Sequence, residues 1–240
     1  MKDEEIDLAL LPWGATEAHN LHLPYSTDNI ETEMITEAAA KSAHEKGARI
    51  VVLPGIPYGV NTGQPDIKLT INMNPGTQLH ILKDIVEVMN RQHINKLLIV
   101  NGHGGNDFRQ MIREIGAAYP GMFISTCNWY QSVDPSGYFE NGGGHADEME
   151  TSLMMFLAPE LVLPLKEAGR GQAKKFRINA LNEKWAWAER KWSKVTSDTG
   201  IGDPSKATRE KGEKYFNAVV NKLTDLIVQL SRADINDLYE

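Results

Sequence analysis

Acidic and imidazole side chains stand at two glycine- or proline-containing turns, each of which follows an apolar run. The first turn carries Glu17, His19 and Asp28 within LPWGATEAHNLHLPYSTD, and the second carries His103 within NGHGGN. Carboxylate and imidazole groups are ligands for Zn, Mn, Fe or Co and do not by themselves select among these metals. Because an aspartate can bridge two ions through its two oxygens, the set predicts a site for one or two divalent cations.

The spacing of these residues is compatible with one shared site. Glu17 and His19 are two residues apart, and in an extended segment such side chains point the same way. Asp28 comes nine residues after His19, beyond a turn that contains Pro24. His103 lies in a glycine-rich turn, where the lack of Cβ atoms lets the backbone approach a bound group.

Each of these residues alone also has an ordinary structural explanation. Asp28 could cap the helix that follows it, and His103 could be a buried histidine held by hydrogen bonds. The metal hypothesis therefore depends on the four side chains occurring together at matching ends of strands.

Apolar runs alternate with segments of helical periodicity along the chain. Buried strands are predicted at residues 6–11, 49–53, 96–100 and 123–127. Helices are predicted at residues 30–46, from Thr77, from Phe108, at 148–157 and at 206–231. Strands that are continuously apolar and β-branched favour an α/β fold with a mostly parallel sheet, in which ligands collect at the carboxyl ends of strands. Both turns follow such ends, so the sheet should bring them together.

Composition limits the class of protein. The chain has 240 residues, a formal net charge of -7 and one cysteine, Cys127. The negative charge disfavours a nucleic-acid surface, and one cysteine cannot form an intramolecular disulfide or a cysteine-based zinc site. The acidic start, MKDEEID, is unlike a signal peptide, and no apolar run approaches the ~20 residues of a membrane-spanning helix. We expect a cytoplasmic protein whose partners include neither nucleic acid nor membrane.

At these residues the chain resembles the creatininase family. Its Glu-x-His motif, with an Asp nine residues after the His, matches Glu17, His19 and Asp28, and its NGH motif matches residues 101–103. Its Pro-Gly-Thr turn matches residues 75–77, and a later motif matches HADEMETS at residues 145–152. Four motifs in this order are specific, whereas any one of them would be a weak signal.

The resemblance implies a three-layer α/β/α sandwich and a single domain over residues 1–240. It also implies a centre of two divalent metal ions (Zn, Mn or Fe) and hydrolysis of a non-peptide or cyclic amide C–N bond by a metal-activated water. The partners would be a small-molecule amide and further copies of the chain, since the family often forms hexamers. His145 would be catalytic, stabilising the oxyanion or protonating the leaving nitrogen, while Trp129 and Gly104 would contact the substrate.

The chain departs from creatininase itself at two places. The NGH motif there continues Tyr-Glu-Asn, and that Glu is a metal ligand, whereas this chain has Gly105 at the position. Glu148 or Glu150 could replace it, and we expect Glu148, because it stands three residues after His145 on one face of a starting helix. Creatininase also has a tryptophan shortly before the catalytic His, where this chain has Gly142–Gly144. We therefore expect an HGGN-type member of the family with little activity on creatinine.

Two questions stay open at the level of the sequence. Trp185, Trp187 and Trp192 lie among basic residues, and this segment could be a substrate lid or interface anchor, or only an amphipathic surface. The whole protein could also be a catalytically silent metal-binding scaffold, for which Gly105 is the main argument.

Overall fold

The computed structural model describes residues 5–240, so residues 1–4 of the acidic start that we interpreted above lie outside it. Its strands are β1 (Leu8–Trp13), β2 (Ile50–Val52), β3 (Lys96–Asn101) and β4 (Phe123–Asn128). The longer helices are α1 (Thr27–Glu45), α2 (Pro75–Arg91), α3 (Arg109–Ala118), α4 (Glu148–Leu157) and α7 (Arg209–Arg232), and the one-turn helices are α5 (Asn179–Asn182) and α6 (Trp192–Val195).

The strands form one parallel sheet in the order β2-β1-β3-β4. Successive strands are joined through α1, α2 and α3, as parallel pairing requires. The chain first moves from β1 to β2 on one side and then crosses to β3 on the other side of β1. The carboxyl ends of β1 and β3 are therefore neighbours at the point where the strand order reverses, which is where open α/β sheets bind ligands.

Each face of the sheet carries its own apolar core, as the alternation of side chains along a strand dictates. Leu8 and Leu10 face a core that contains residues of α1, α4 and α7. Ala9 and Leu11 face the opposite core, which contains residues of α2 and α3. The predicted three-layer α/β/α sandwich with a mostly parallel sheet is confirmed.

Element boundaries differ from the predicted ones in one way that affects the site. α1 begins at Thr27 rather than near Ile30, so Asp28 lies in its first turn instead of before it. The hydroxyl of Thr27 donates to the carbonyl of Pro24 at 2.7 Å, which fixes the entry to the helix. Within residues 5–240, no helix is long and apolar enough to cross a membrane.

Candidate metal centre

The two polar turns leave the sheet side by side. Trp13, the last residue of β1, pairs with Asn101, the last residue of β3, and the amide of Gly102 donates to the carbonyl of Trp13 at 3.0 Å. Asn101 then holds the second turn, because its side-chain amide donates to the carbonyl of His103 at 2.9 Å. The predicted convergence of residues far apart in sequence therefore occurs.

Asp28 lies between two histidines at the centre of the site. Its Oδ1 is 3.0 Å from Nε2 of His19, and its Oδ2 is 3.1 Å from Nδ1 of His103. Oε1 of Glu17 lies 2.9 Å from the same Nδ1 of His103. All four side chains are buried, with at most 6% exposure. The four residues singled out from the sequence form one cluster.

The histidines of the cluster share one arrangement of their ring nitrogens. In each ring, one nitrogen meets a backbone carbonyl and the other faces a carboxylate. The carbonyls are those of Glu17 for His19 (3.1 Å), of Val60 for His103 (3.0 Å) and of Ala18 for His145 (2.8 Å). Because a carbonyl can only accept, the nitrogen facing it carries the hydrogen, and the inward nitrogen of a neutral ring offers a lone pair. Such backbone anchoring is the usual way that proteins orient metal-binding histidines.

The donor set fits divalent cations. Three inward nitrogens and three carboxylates (those of Glu17, Asp28 and Glu150) supply triads of donor atoms that lie within 4.8 Å of one another. Within the described residues, Oδ2 of Asp28 has no hydrogen-bond donor, although Nδ1 of His103 faces it. Two lone pairs that face each other across about this distance need a positive charge between them, as do carboxylates buried together.

The pKa values of the histidines also indicate that the cluster needs a positive charge. Burial works against a charged imidazole at His19, but Asp28, Glu150 and Glu17 outweigh it and raise the pKa of His19 to about 10. Burial likewise opposes the charged form of His103, and Glu17 and Asp28 raise the pKa of this ring well above its ordinary value. In the absence of a metal ion, the raised pKa values favour a proton on each ring, which supplies the positive charge that a metal cation would otherwise bring.

Glu150, and not Glu148, lies at the cluster. Its Oε2 is 3.9 Å from Nε2 of His19 and also accepts from the backbone N–H of Ala146. Burial, with the charges of Asp147 and Asp28 adding to it, raises the pKa of Glu150 to about 8. The carboxylate therefore stands where a third ligand would complete a site with His19 and Asp28.

Glu148, which we expected to replace the missing ligand, is not brought to the cluster by the structure. Its carboxylate accepts from the backbone N–H groups of Glu140 (3.1 Å) and Asn141 (2.7 Å) and pairs with Lys211 at 2.5 Å. The premise of a shared helix face fails because α4 begins only at Glu148, with Asp147 as its N-cap. Ala146, at a φ of 50°, turns the chain between His145 and that cap.

Gly105 leaves no room for the side chain that creatininase carries at this position. A Cβ atom built on Gly105 would lie 2.2 Å from the carbonyl oxygen of Val60 and 2.5 Å from Nε2 of His103. The turn is packed this tightly because Asn106 accepts from the N–H of Val60 at 3.0 Å. A replacement ligand must consequently come from another part of the chain.

His145 lies beside the cluster with a free inward nitrogen. Its Nδ1 is 3.7 Å from Oε1 of Glu17, and its ring stacks at 4.3 Å on that of His19. Burial lowers the pKa of His145, and the charge of His19 lowers it further. Both effects favour the neutral ring, which can accept a proton at Nδ1.

An open cavity of about 250 Å³ leads to Glu17, His103 and His145. Gly104 lines it, as expected for a substrate contact. Trp129, the other expected substrate contact, does not line the cavity: this side chain is 1% exposed, belongs to the core on the α1 side of the sheet and donates to the hydroxyl of Thr32 at 3.2 Å. Trp187 and Trp192 line the cavity instead, and this favours the lid interpretation of their segment.

Three further residues at the site were not identified from the sequence. Gln64, which is buried, donates from its side chain to Oε2 of Glu17. Glu31 is fully buried, and neither of its oxygens has a hydrogen-bond partner within the described residues. Arg190 lies at the rim of the cavity. No motif marks Gln64 or Arg190, since both stand in irregular segments, whereas a lone glutamate on the apolar face of α1 could have been noticed.

Comparison with known proteins gives one consistent result. The sequence profile described as "Creatininase: Creatinine amidohydrolase" matches residues 1–227. A mycofactocin precursor peptide peptidase of Mycobacterium ulcerans (strain Agy99) is 26% identical over 93% of this chain and 84% of its own length. A creatinine amidohydrolase of Pseudomonas putida is 26% identical over 64% of this chain and 65% of its own length.

Solved structures agree with the sequence comparison. A protein from Bacteroides fragilis NCTC 9343 that carries the provisional name creatinine amidohydrolase is 46% identical, with a TM-score of 0.92 over 100% of this chain and 94% of that one. Structures described as creatininase of Zn-Zn type and creatininase Mn are 23% and 21% identical, each with a TM-score of 0.75 over 94% of this chain and 91% of theirs. At that identity the latter two show a shared fold.

Proposed function

Because this chain belongs to the creatininase family, we propose that it is a metal-dependent amidohydrolase that cleaves a C–N bond of a small-molecule amide. The bond would be a non-peptide or cyclic amide. Relatives named as an amidohydrolase and as a peptidase support hydrolysis as the reaction class, and their two names differ in the kind of amide.

The observation that carries this proposal is the inward arrangement of imidazoles against buried carboxylates. His19 and His103 each present an unanchored nitrogen to Asp28, at 3.0 and 3.1 Å. A histidine with a purely structural role needs no acidic partner once one of its nitrogens is bonded to a carbonyl. A metal-binding histidine, in contrast, has one nitrogen bonded to a carbonyl and the other directed at the ion, here beside a carboxylate that two ions can share.

We assign two cation positions that share Asp28. His19, Glu150 and Asp28 would hold one ion, and His103, Glu17 and Asp28 would hold the other. Zn and Mn both suit such oxygen and nitrogen donors, and creatininase structures described with each of them support either metal. When bound, the pair supplies a water activated at neutral pH and a Lewis acid for the scissile carbonyl.

The chain's own groups would handle the proton and the substrate. His145 would take a proton at Nδ1 from the attacking water and pass it to the leaving nitrogen, a transfer that typically contributes about 10²–10⁴-fold to a rate. Its Nε2–H stays bonded to the carbonyl of Ala18, which keeps the ring in one tautomer and orientation. Gln64 fixes the carboxylate of Glu17, and Gly104 leaves space beside His103 for the amide.

Metal analysis combined with an amide panel tests this function. The chelator-treated protein is reconstituted with Zn or Mn, and bound metal and hydrolysis of cyclic amides, formamides, N-acyl compounds and short peptides are measured. We expect about two equivalents of metal and turnover that requires them. A His145→Gln variant should keep its metal and lose about 10²–10⁴-fold in turnover.

A metal-binding scaffold without activity is the competing function. Two bound equivalents with no turnover across the panel would favour that alternative, and absence of metal binding would contradict both. Homo-oligomeric assembly and a cytoplasmic location stay predictions.

A further inference from the structure

One wall of the cavity comes from the segment of residues 187–192, and its backbone is fixed. The N–H of Trp192 donates to the carbonyl of Gly63 at 2.9 Å, and its indole donates to the carbonyl of Thr199 at 3.0 Å. A Cβ atom on Gly63 would lie 2.4 Å from the carbonyl oxygen of Arg190. The segment therefore rests directly on Gly63, and this contact sets the position of Arg190.

The guanidinium of Arg190 is stacked at the mouth of the cavity. Its Cζ lies 4.8 Å from the ring centroid of Trp192, a typical cation–π distance. The same indole meets the ring of His145 edge-on, at 5.2 Å and 84°. One aromatic ring thus contacts both the guanidinium and the imidazole to which we assign proton transfer.

The charge of Arg190 has no acidic partner within residues 5–240, because no carboxylate oxygen there lies within 4.0 Å of its nitrogens. Its chain neighbours are engaged elsewhere, Glu189 with the hydroxyl of Thr62 and Lys191 with Asp66 at 3.9 Å. Partial burial lowers the pKa of Arg190, yet a guanidinium stays charged at neutral pH. A cation at the rim of a catalytic cavity is consequently free to bind an anion.

We propose that Arg190 binds a carboxylate of the substrate, so that the enzyme acts on small amides that carry a carboxylate at the end away from the scissile bond. The planar fork of a guanidinium matches a carboxylate with two parallel hydrogen bonds. The net charge of the whole chain, -7, does not favour an anion, so a local cation is needed for such a preference. The inference rests on the proposed amidohydrolase function for the identity of the bond that is cleaved.

Calorimetric binding of matched probes to the metal-loaded protein tests the preference without requiring turnover. The pairs are N-acetylglycine with N-acetylglycinamide, and N-benzoylglycine with N-benzoylglycinamide, which differ in one charge. We expect the carboxylates to bind about 10-fold or more tighter than the carboxamides, as a charge-assisted hydrogen bond predicts.

Three variants separate the arginine from other sources of anion binding. Arg190→Gln should reduce the preference for carboxylate over carboxamide probes to about 2-fold or less. Gly63→Ala should also reduce this preference, because the added methyl group displaces the segment that carries Arg190. Arg177→Gln, on an exposed part of the same region, should leave the preference unchanged. A preference that survives Arg190→Gln would assign the anion to the metal centre and overturn the proposal. Equal binding within each pair, or binding of no probe up to about 10 mM, a free energy of only ~2.7 kcal/mol, would also overturn it. If the metal-loaded protein shows the carboxylate preference but hydrolyses no compound of the amide panel, the result counts against the hydrolase function and leaves the anion site standing.

Discussion

Oδ1 of Asp28 lies 3.0 Å from Nε2 of His19, although the two residues are nine positions apart and belong to different elements. Asp28 stands in the first turn of α1, while His19 stands in the turn after β1. The other oxygen of Asp28 faces His103, so one carboxylate joins the two turns of the site. The account of the centre depends on this shared aspartate.

Removal of His19 or Asp28 should abolish metal binding and leave the fold intact. We expect His19→Ala and Asp28→Ala each to weaken metal binding by more than about 100-fold, since loss of a ligand should exceed the 10–100-fold effect of losing a supporting contact. Metal content is measured by mass spectrometry, folding by circular dichroism, and His44→Ala at the exposed end of α1 is the control. Wild-type metal content in either variant would remove that residue from the site.

The two glutamates of α4 should behave differently. Glu150→Gln should lower metal affinity, because its carboxylate faces His19, whereas Glu148→Gln should leave the affinity unchanged. Glu148→Gln should instead lower the free energy of unfolding by about 1–2 kcal/mol, since glutamine keeps acceptors for the two backbone N–H groups and loses only the charge that faces Lys211. Metal titration and urea unfolding of both variants measure these effects. A larger loss of metal affinity in Glu148→Gln than in Glu150→Gln would identify Glu148 as the ligand.

Gln64 should tune the metal centre without touching an ion. Because it donates to Oε2 of Glu17, Gln64→Met should weaken metal binding by about 10–100-fold while the protein still folds. Gln110→Met, on the exposed surface of α3, serves as the control for a change from glutamine to methionine. Equal affinities of the two variants would show that Glu17 needs no such support.

Glu31 should make the metal-free protein less stable as the pH rises. Burial, with the charges of Glu150, Asp28 and Asp147 adding to it, raises the pKa of Glu31 well above its ordinary value of 4.5. The folded chain therefore keeps a proton that the unfolded chain releases above about pH 4.5, so stability falls by up to ~1.4 kcal/mol per pH unit.

Glu31→Gln removes this titration and should gain on the wild type as the pH rises from 5 to 8. Urea unfolding of both proteins in a chelator measures the difference at each pH. A constant difference between variant and wild type over this range would mean that Glu31 is ionised in the folded state.

Creatinine should be a poor substrate, with kcat/KM below ~10⁴ M⁻¹ s⁻¹. Gly144, which lines the cavity, supplies no aromatic ring where creatininase has a tryptophan nearby, and Trp129 is buried in the core instead of lining the cavity. Creatinine also has no carboxylate for Arg190. An assay of creatinine hydrolysis by the metal-loaded protein tests this prediction. Efficient turnover would mean that Trp187 and Trp192 enclose the creatinine ring.

The sheet and four members of the cluster could be predicted because each depends on local sequence. Apolar β-branched runs specify the strands, and the parallel order then brings Glu17, His19 and His103 to one edge. The sequence offered both Glu148 and Glu150, and the preference for Glu148 did not match the structure because the backbone before α4 is not helical: Ala146 has a positive φ, and Asp147 caps the helix by accepting from Met149 and Glu150.

The residues that line the cavity were harder to predict, because their positions depend on contacts between distant parts of the chain. The family resemblance placed Trp129 at the substrate, yet its burial depends on helices that pack on it from elsewhere in the chain. Arg190 and Gln64 reach the cavity from irregular segments through contacts such as the one between Gly63 and the Arg190 carbonyl. Contacts of this kind between irregular segments carry no periodicity in the sequence.

Anomalous diffraction from a crystal of the zinc-loaded protein tests the central claim most directly. The account predicts two zinc peaks on either side of the Asp28 carboxylate, one bound by His19 and Glu150 and the other by His103 and Glu17. A single peak that Asp28 does not share, a peak bound by Glu148, or a cluster without zinc would contradict it.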